Sequence, residues 1–364
     1  MSAPEYLFPR RLDRRHFLQM TGTAAAVAGL SSRGLAAAPE AAEGQPAADK
    51  KPVQIGQGQW TYTLDDAWGK LPAGMKYGFG CGIAIDGQNR IFVTSRSPDP
   101  CVAIFATDGK LLETWSKDFA DKVGYTTKQV ADTAHGLYWS KEDGHEYLYF
   151  TENAPGCRVY KTDMQGKILY TLGKVDKEGD AAQKFKFDNP TDVAVAPNGD
   201  IYVVDGYGSQ LVHRFDKNFK LIRTIGGHGK EHGKFETCHG VWVNTLKKEP
   251  EVYIADRANN RLEIYSLALD YKRTIPEMRL PCCFYQHEGH IYVPELGARV
   301  TILDADDKIV AQLGDGKGID QNKIGEHPDK FATPHALTVD SKGNFYVLEW
   351  LPYARVRKFA HTPA

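Results

Sequence analysis

His135, His239 and His335 fall roughly a hundred residues apart, and each begins a copy of one short apolar pattern. The copies read His135-Gly-Leu-Tyr-Trp, His239-Gly-Val-Trp-Val and His335-Ala-Leu-Thr-Val, and an intervening copy, Thr191-Asp-Val-Ala-Val, lacks the imidazole. Neutral imidazole is a favoured ligand for zinc and related divalent transition ions, and three protein ligands leave a coordination position for water or substrate. A lone histidine at a strand start commonly caps or packs. Three at one position of alternate repeats point instead to a shared metal site.

A second set of residues closes the strands that follow these copies: Arg96, Glu152, Asp205 with Tyr207, Arg257, Glu295 and Glu349. Successive strands are antiparallel, so these ends open on the face that carries the histidines. Arg96 and Arg257 suit an anionic substrate, since each guanidinium can grip a carboxylate through two hydrogen bonds. Their alternative role is ion pairing with a neighbour such as Asp205 or Glu295. Tyr207 stands between Gly206 and Gly208, which let its phenol project inward. A divalent ion and an arginine nearby would lower its pKa and fit it for general-base work, the alternative being a loop tyrosine packed at the mouth.

Residues so far apart converge only if the chain closes on itself. Past the N-terminal region it repeats about every 50 residues as four short alternating strands with Gly or Asn turns. The clearest unit runs from Asn189 to Gly226, and others open near Cys81, His135, His239, Pro281 and His335. Six such units predict an all-β, six-bladed β-propeller of four antiparallel strands per blade. The first strand of each blade lines the central channel, so blades two, four and six would present imidazoles about 120° apart. The sixth unit ends one strand short, and Gln59-Trp-Tyr-Thr-Leu64 can fill the slot and close the ring.

The N-terminal region reads differently. Arg14-Arg15-His16-Phe17-Leu18, an apolar run from Met20 to Leu30 and Ala36-Ala37-Ala38 predict a twin-arginine export signal over residues 1–38. Residues 39–56 read as a disordered linker and 57–364 as the propeller. The expected location is therefore periplasmic or extracellular, with no membrane attachment once the signal is cleaved. A net charge of −1 over 364 residues gives no electrostatic footprint for nucleic acid. Six cysteines are too few for a disulfide scaffold of this length, although Cys81 and Cys101 share a blade and could pair. A monomer is expected.

Asn189-Pro-Thr-Asp-Val-Ala-Val with Ile201-Tyr-Val-Val-Asp-Gly-Tyr207, Cys238-His-Gly-Val with Tyr253-Ile-Ala-Asp-Arg257, and Pro334-His335 with Phe345-Tyr-Val resemble the NHL-repeat propeller of peptidylglycine amidating lyase. The resemblance spans nearly all of 57–360. It implies that His135, His239 and His335 hold zinc or another divalent transition metal, that Tyr207 is the catalytic tyrosine, and that Arg96 and Arg257 are active-site arginines. The implied reaction cleaves a peptide's C-terminal α-hydroxyglycine to an amide and glyoxylate. The family's structural calcium would meet the carbonyls of Ile83 and Leu137, but Ala336 replaces its aspartate, and Gly208 replaces the family's disulfide cysteine. No stretch reads as the copper monooxygenase that makes such a substrate, so either a separate protein supplies it or the fold acts on another carboxylated α-hydroxy compound or on something unrelated.

Two other function classes remain open on these residues. One is a non-enzymatic NHL-repeat propeller whose face binds a protein or glycan. The other is a calcium-dependent, lactonase-like hydrolase built on oxygen ligands from Glu152, Asn153, Asp205, Glu295 and Glu349.

Overall fold

A computed structural model describes residues 51–173 and 182–363. The segments read as an export signal and, as far as Lys50, as a linker lie outside the described residues. Six antiparallel sheets form a six-bladed propeller, each blade built outward from an inner strand at the channel. Blade one comprises Gly80–Ile85, Ile91–Ser95, Val102–Phe105 and Leu111–Trp115, and blade three comprises Asp192–Val195, Ile201–Asp205, Leu211–Phe215 and Leu221–Gly226. Blade four runs through Cys238–Asn244, Glu251–Asp256, Arg261–Ser266 and Tyr271–Ile275, and blade five through Tyr285–His287, His290–Glu295, Arg299–Leu303 and Ile309–Leu313.

Blades two and six each gain a strand. In blade two, Ala134–Glu142, His145–Glu152, Arg158–Thr162 and Ile168–Gly173 are extended by Ala182–Lys184, which pairs parallel to the fourth strand. Blade six is the closure. Its strands Pro334–Val339, Phe345–Glu349 and Val356–His361 accept Tyr62–Asp65 as fourth strand, with Leu64 opposite Phe359. Gln54–Ile55 then pairs with Tyr62–Asp65, so the stretch read as linker already contains a strand. Joining both chain ends in one sheet removes the seam at which a ring could open.

The core lies between blades, where apolar side chains of neighbouring sheets interdigitate. Phe92, Trp115, Phe119 and Phe150 fill the gap between blades one and two. That gap also holds two short helices, Lys117–Lys122 and Thr127–Thr133, the second opened by a Thr126–Gln129 capping box. They are too short for a helical period to stand out in a sequence. Among the described residues no helix is long and apolar enough to cross a membrane.

The inner strands carry one recurrent irregularity. Pairing with the second strand slips between Ala134 and Leu137, between Cys238 and Gly240, and between Pro334 and Ala336. Each of these register shifts spans a histidine, the inner strand of blade one having one between Gly80 and Ile83 without a histidine, and such a shift can re-aim a side chain out of the alternation of its strand.

Candidate metal centre

The inner strands bring the three histidines together. Ring centroids of His135, His239 and His335 lie 4.9, 5.1 and 4.9 Å apart, close to an equilateral triangle. One ring nitrogen from each falls within 4.8 Å of the others. All three side chains are buried.

Their orientation is set from behind. Nδ1 of His135 donates to the Thr191 carbonyl at 2.7 Å, Nδ1 of His239 to the Cys282 carbonyl at 2.8 Å, and Nδ1 of His335 to the Cys81 carbonyl at 2.8 Å. Each acceptor belongs to the next blade, so every histidine is aimed by its neighbour. A carbonyl can only accept, which fixes the proton on Nδ1 and leaves the Nε2 lone pair facing the centre. Gly136 and Gly240 permit the close approach. A Cβ on Gly136 would stand 2.9 Å from the Thr191 oxygen, and one on Gly240 2.1 Å from the Cys282 oxygen.

Three lone pairs now converge with little to satisfy them. Tyr207 Oη lies 3.3 Å from His135 Nε2 and 3.1 Å from His239 Nε2, and its one proton can serve one of them at a time. His335 Nε2 is buried without a hydrogen-bond partner among the described residues. Burial first, then the positive charge of Arg257 and, for His135 and His335, of Arg96, push all three imidazoles well below their usual pKa, His335 to about 3. Neutral, pre-oriented and facing one point, these nitrogens fit a divalent transition metal, with the backbone carbonyls as the outer partners that metal-binding histidines commonly have.

Both arginines reach this centre. Arg257 is buried and donates through Nη1 to Tyr207 Oη at 3.0 Å. Arg96 donates through Nη2 to Asn153 Oδ1 at 2.8 Å, and its Nε is buried without a hydrogen-bond partner among the described residues. Among the described residues neither is ion-paired to a carboxylate. Burial pushes the Tyr207 phenol up while the Arg257 guanidinium pulls it down, and burial wins. Arg257 acts in the expected direction, but the Tyr207 pKa is raised on balance and not lowered.

The carboxylates at the strand ends do something else. Asp205 accepts the backbone amides of Asp188 and Asn189, and Glu349 those of Ala332 and Thr333. Glu152 pairs with Arg158 at 2.6 Å and Glu295 with Arg299 at 2.9 Å. They tie down the loops entering each blade. The position that faces the histidines is one residue later, where Arg96, Asn153, Arg257 and Trp350 follow Ser95, Glu152, Asp256 and Glu349. Trp350 packs against His335 with centroids 5.0 Å apart and lies under Arg96 at 5.2 Å. Neither Asn153 nor Trp350 was assigned to this ring from the sequence, although counting strand ends in strict register would have found both. Cys81 and Cys101 stay separate thiols, Cys81 donating to the carbonyls of Phe79 and Ala134.

Residues 187–215 match the NHL repeat. The chain is a six-bladed propeller in which one stretch matches the NHL repeat. The chain is 28% identical to NHL repeat-containing protein 3 of Homo sapiens, over 79% of the chain and 81% of that protein. It is 25% identical to peptidyl-alpha-hydroxyglycine alpha-amidating lyase 1 of Drosophila melanogaster, over 76% of the chain and 52% of that protein. Among solved structures, a gluconolactonase from Xanthomonas campestris superposes with a TM-score of 0.56 at 14% identity, covering 88% of this chain and 99% of that one. That likeness is one of fold.

Proposed function

We propose that the propeller is an exported, metal-dependent lyase acting at a carboxylated α-hydroxy centre, in the manner of a peptidyl-α-hydroxyglycine amidating lyase. The observation that carries this reading is the convergence of three Nε2 lone pairs with Tyr207 and two arginines free of carboxylate partners among the described residues. Relatives named as amidating lyases support it at low identity. The oxygen-ligand hydrolase loses ground because Glu152, Asp205, Glu295 and Glu349 are engaged within the blades.

His135, His239 and His335 would hold the ion, zinc being the best match to three neutral imidazoles. Bound there, it supplies Lewis acidity, which makes a hydroxyl at the site easier to deprotonate. Arg96, with an unanswered Nε, and Arg257 grip the substrate carboxylate and fix the α-carbon beside Tyr207. Tyr207 Oη takes the proton of the α-hydroxyl. The C–O electrons then form the aldehyde of glyoxylate, the C–N bond breaks, and the departing nitrogen takes up a proton to become the amide. Arg257, 3.0 Å from Oη, is the group on this chain that favours the phenolate this step requires. The partner is a small molecule or peptide C-terminus bearing a carboxylate, met outside the cytoplasm after twin-arginine export.

Elemental analysis of the mature protein beside His239→Ala, with glyoxylate release from an α-hydroxyglycine peptide, tests the proposal. About one zinc per chain that the variant loses, together with zinc-dependent glyoxylate, is the expected result. Equal metal content in both proteins would overturn it.

A further inference from the structure

The channel behind the histidines takes no part in that chemistry. It encloses a cavity of about 590 Å³ that runs along the inner strands from the three histidines to the turns at residues 141–143 and 197–199. Arg96, Tyr207 and Arg257 lie outside its lining. The cavity is thus a second space, reached from the opposite end of the channel.

Its interior has a distinct chemistry. Asp192 sits on the inner strand of blade three and accepts a hydrogen bond from the Val241 amide at 3.1 Å. Among the described residues it has no cationic partner. Burial pushes its carboxyl up to about 7, so that a cation placed against it would favour the ionised form. Tyr138, Trp242 and Tyr285 line the same cavity, with centroids 5.6 Å apart for the first pair and 5.8 Å for the second. Tyr138 is close enough to feel the Asp192 charge. The lysines of the lining, Lys141 and Lys217, are exposed.

An uncompensated carboxylate beside electron-rich rings is the pairing that attracts an organic cation, because the rings accept its alkyl groups and their quadrupoles its charge. A hard divalent ion instead wants about six to eight oxygen ligands. Asp192 offers the interior carboxylate, while Glu142 is already held by Lys161 and Tyr149. We propose that this cavity binds an organic ammonium ion, its charge against Asp192 and its carbon groups against Tyr138, Trp242 and Tyr285. Such a site would let a cationic effector, or the cationic part of a longer ligand, sit directly behind the metal-binding imidazoles.

The probe is choline, compared with its neutral isostere 3,3-dimethylbutan-1-ol, titrated into the zinc-loaded protein and followed by tryptophan fluorescence and calorimetry. Choline should saturate the site, with the neutral alcohol at least about tenfold weaker. Asp192→Asn, which keeps an acceptor for Val241, should weaken choline about tenfold while zinc content and melting temperature stay unchanged. Tyr207→Phe, outside the cavity, should bind choline as the parent does even if the lyase reading fails. Equal binding of choline and the alcohol, no saturation, or indifference to Asp192→Asn would each overturn the inference. So would calcium binding that Asp192→Asn abolishes and choline does not compete for. The charge comparison needs no substitution and stands even if a variant misfolds.

Discussion

His239 Nδ1 and the Cys282 carbonyl lie 2.8 Å apart across the seam between blades four and five. Gly240 makes that distance possible, since a Cβ there would meet the Cys282 oxygen at 2.1 Å. Gly240→Ala must therefore push the seam open and release the hydrogen bond that fixes the His239 tautomer. We expect a loss of about 1–3 kcal/mol in stability and of about 10–100-fold in zinc affinity. Thermal melting and titration against a chelator of known affinity read the two effects separately. Parent-like zinc affinity in Gly240→Ala would show that the neighbouring carbonyl does not orient the ligand.

Tyr207→Phe removes one oxygen that touches two imidazoles and Arg257. If that oxygen moves the substrate proton, kcat should fall by about 100- to 10,000-fold with zinc content unchanged. Glyoxylate release and elemental analysis on the same preparation check both. Loss of zinc in the variant would mark Tyr207 as a ligand rather than a base.

Much of this arrangement is legible in the sequence because a propeller converts period into place. Near-equal spacing of the His135, His239 and His335 copies was enough to predict that they meet, and the segment expected to close the ring does so through Tyr62–Asp65, while Gln59 and Trp60 form a 3-10 turn before it. Where sequence reasoning slipped, it slipped by one residue. Glu152 and Glu349 were grouped with Arg96 and Arg257, yet they end their strands and the arginines follow theirs. In a strand one step reverses the face, so carboxylates that anchor loops stood in for Asn153 and Trp350, which face the site. The helices at 117–122 and 127–133 escaped for another reason, being held by tertiary packing of Phe119 and Val130 rather than by any helical period.

Asn153 should act on the substrate through Arg96. Its Oδ1 accepts from Arg96 Nη2 at 2.8 Å, while its Nδ2 is anchored on the Pro190 carbonyl. Asn153→Ala frees the guanidinium to wander, and KM for a carboxylated substrate should rise about tenfold. With a substrate whose carboxylate is replaced by a neutral amide, the variant and the parent should behave alike. A tenfold difference that persists on the amide would assign Asn153 to the architecture and not to carboxylate binding.

His213 lies away from the metal centre and makes a test of the fold by pH. It is buried against Phe185 and Phe187, with Nδ1 on Thr224 Oγ1 at 2.9 Å and Nε2 without a partner among the described residues. Burial pushes its pKa down from 6.5 to about 4, opposed by the charge of Asp205. The unfolded chain therefore takes up this proton first as pH falls, so stability is lost between pH 6.5 and about 4. From one such group the slope is at most about 1.4 kcal/mol per pH unit. Urea unfolding across that window should show His213→Leu losing less stability on acidification than the parent, because leucine has no proton for the unfolded state to gain. Parallel pH profiles for the two proteins would mean that His213 titrates as it does in water, and that the aromatic wall around it admits solvent.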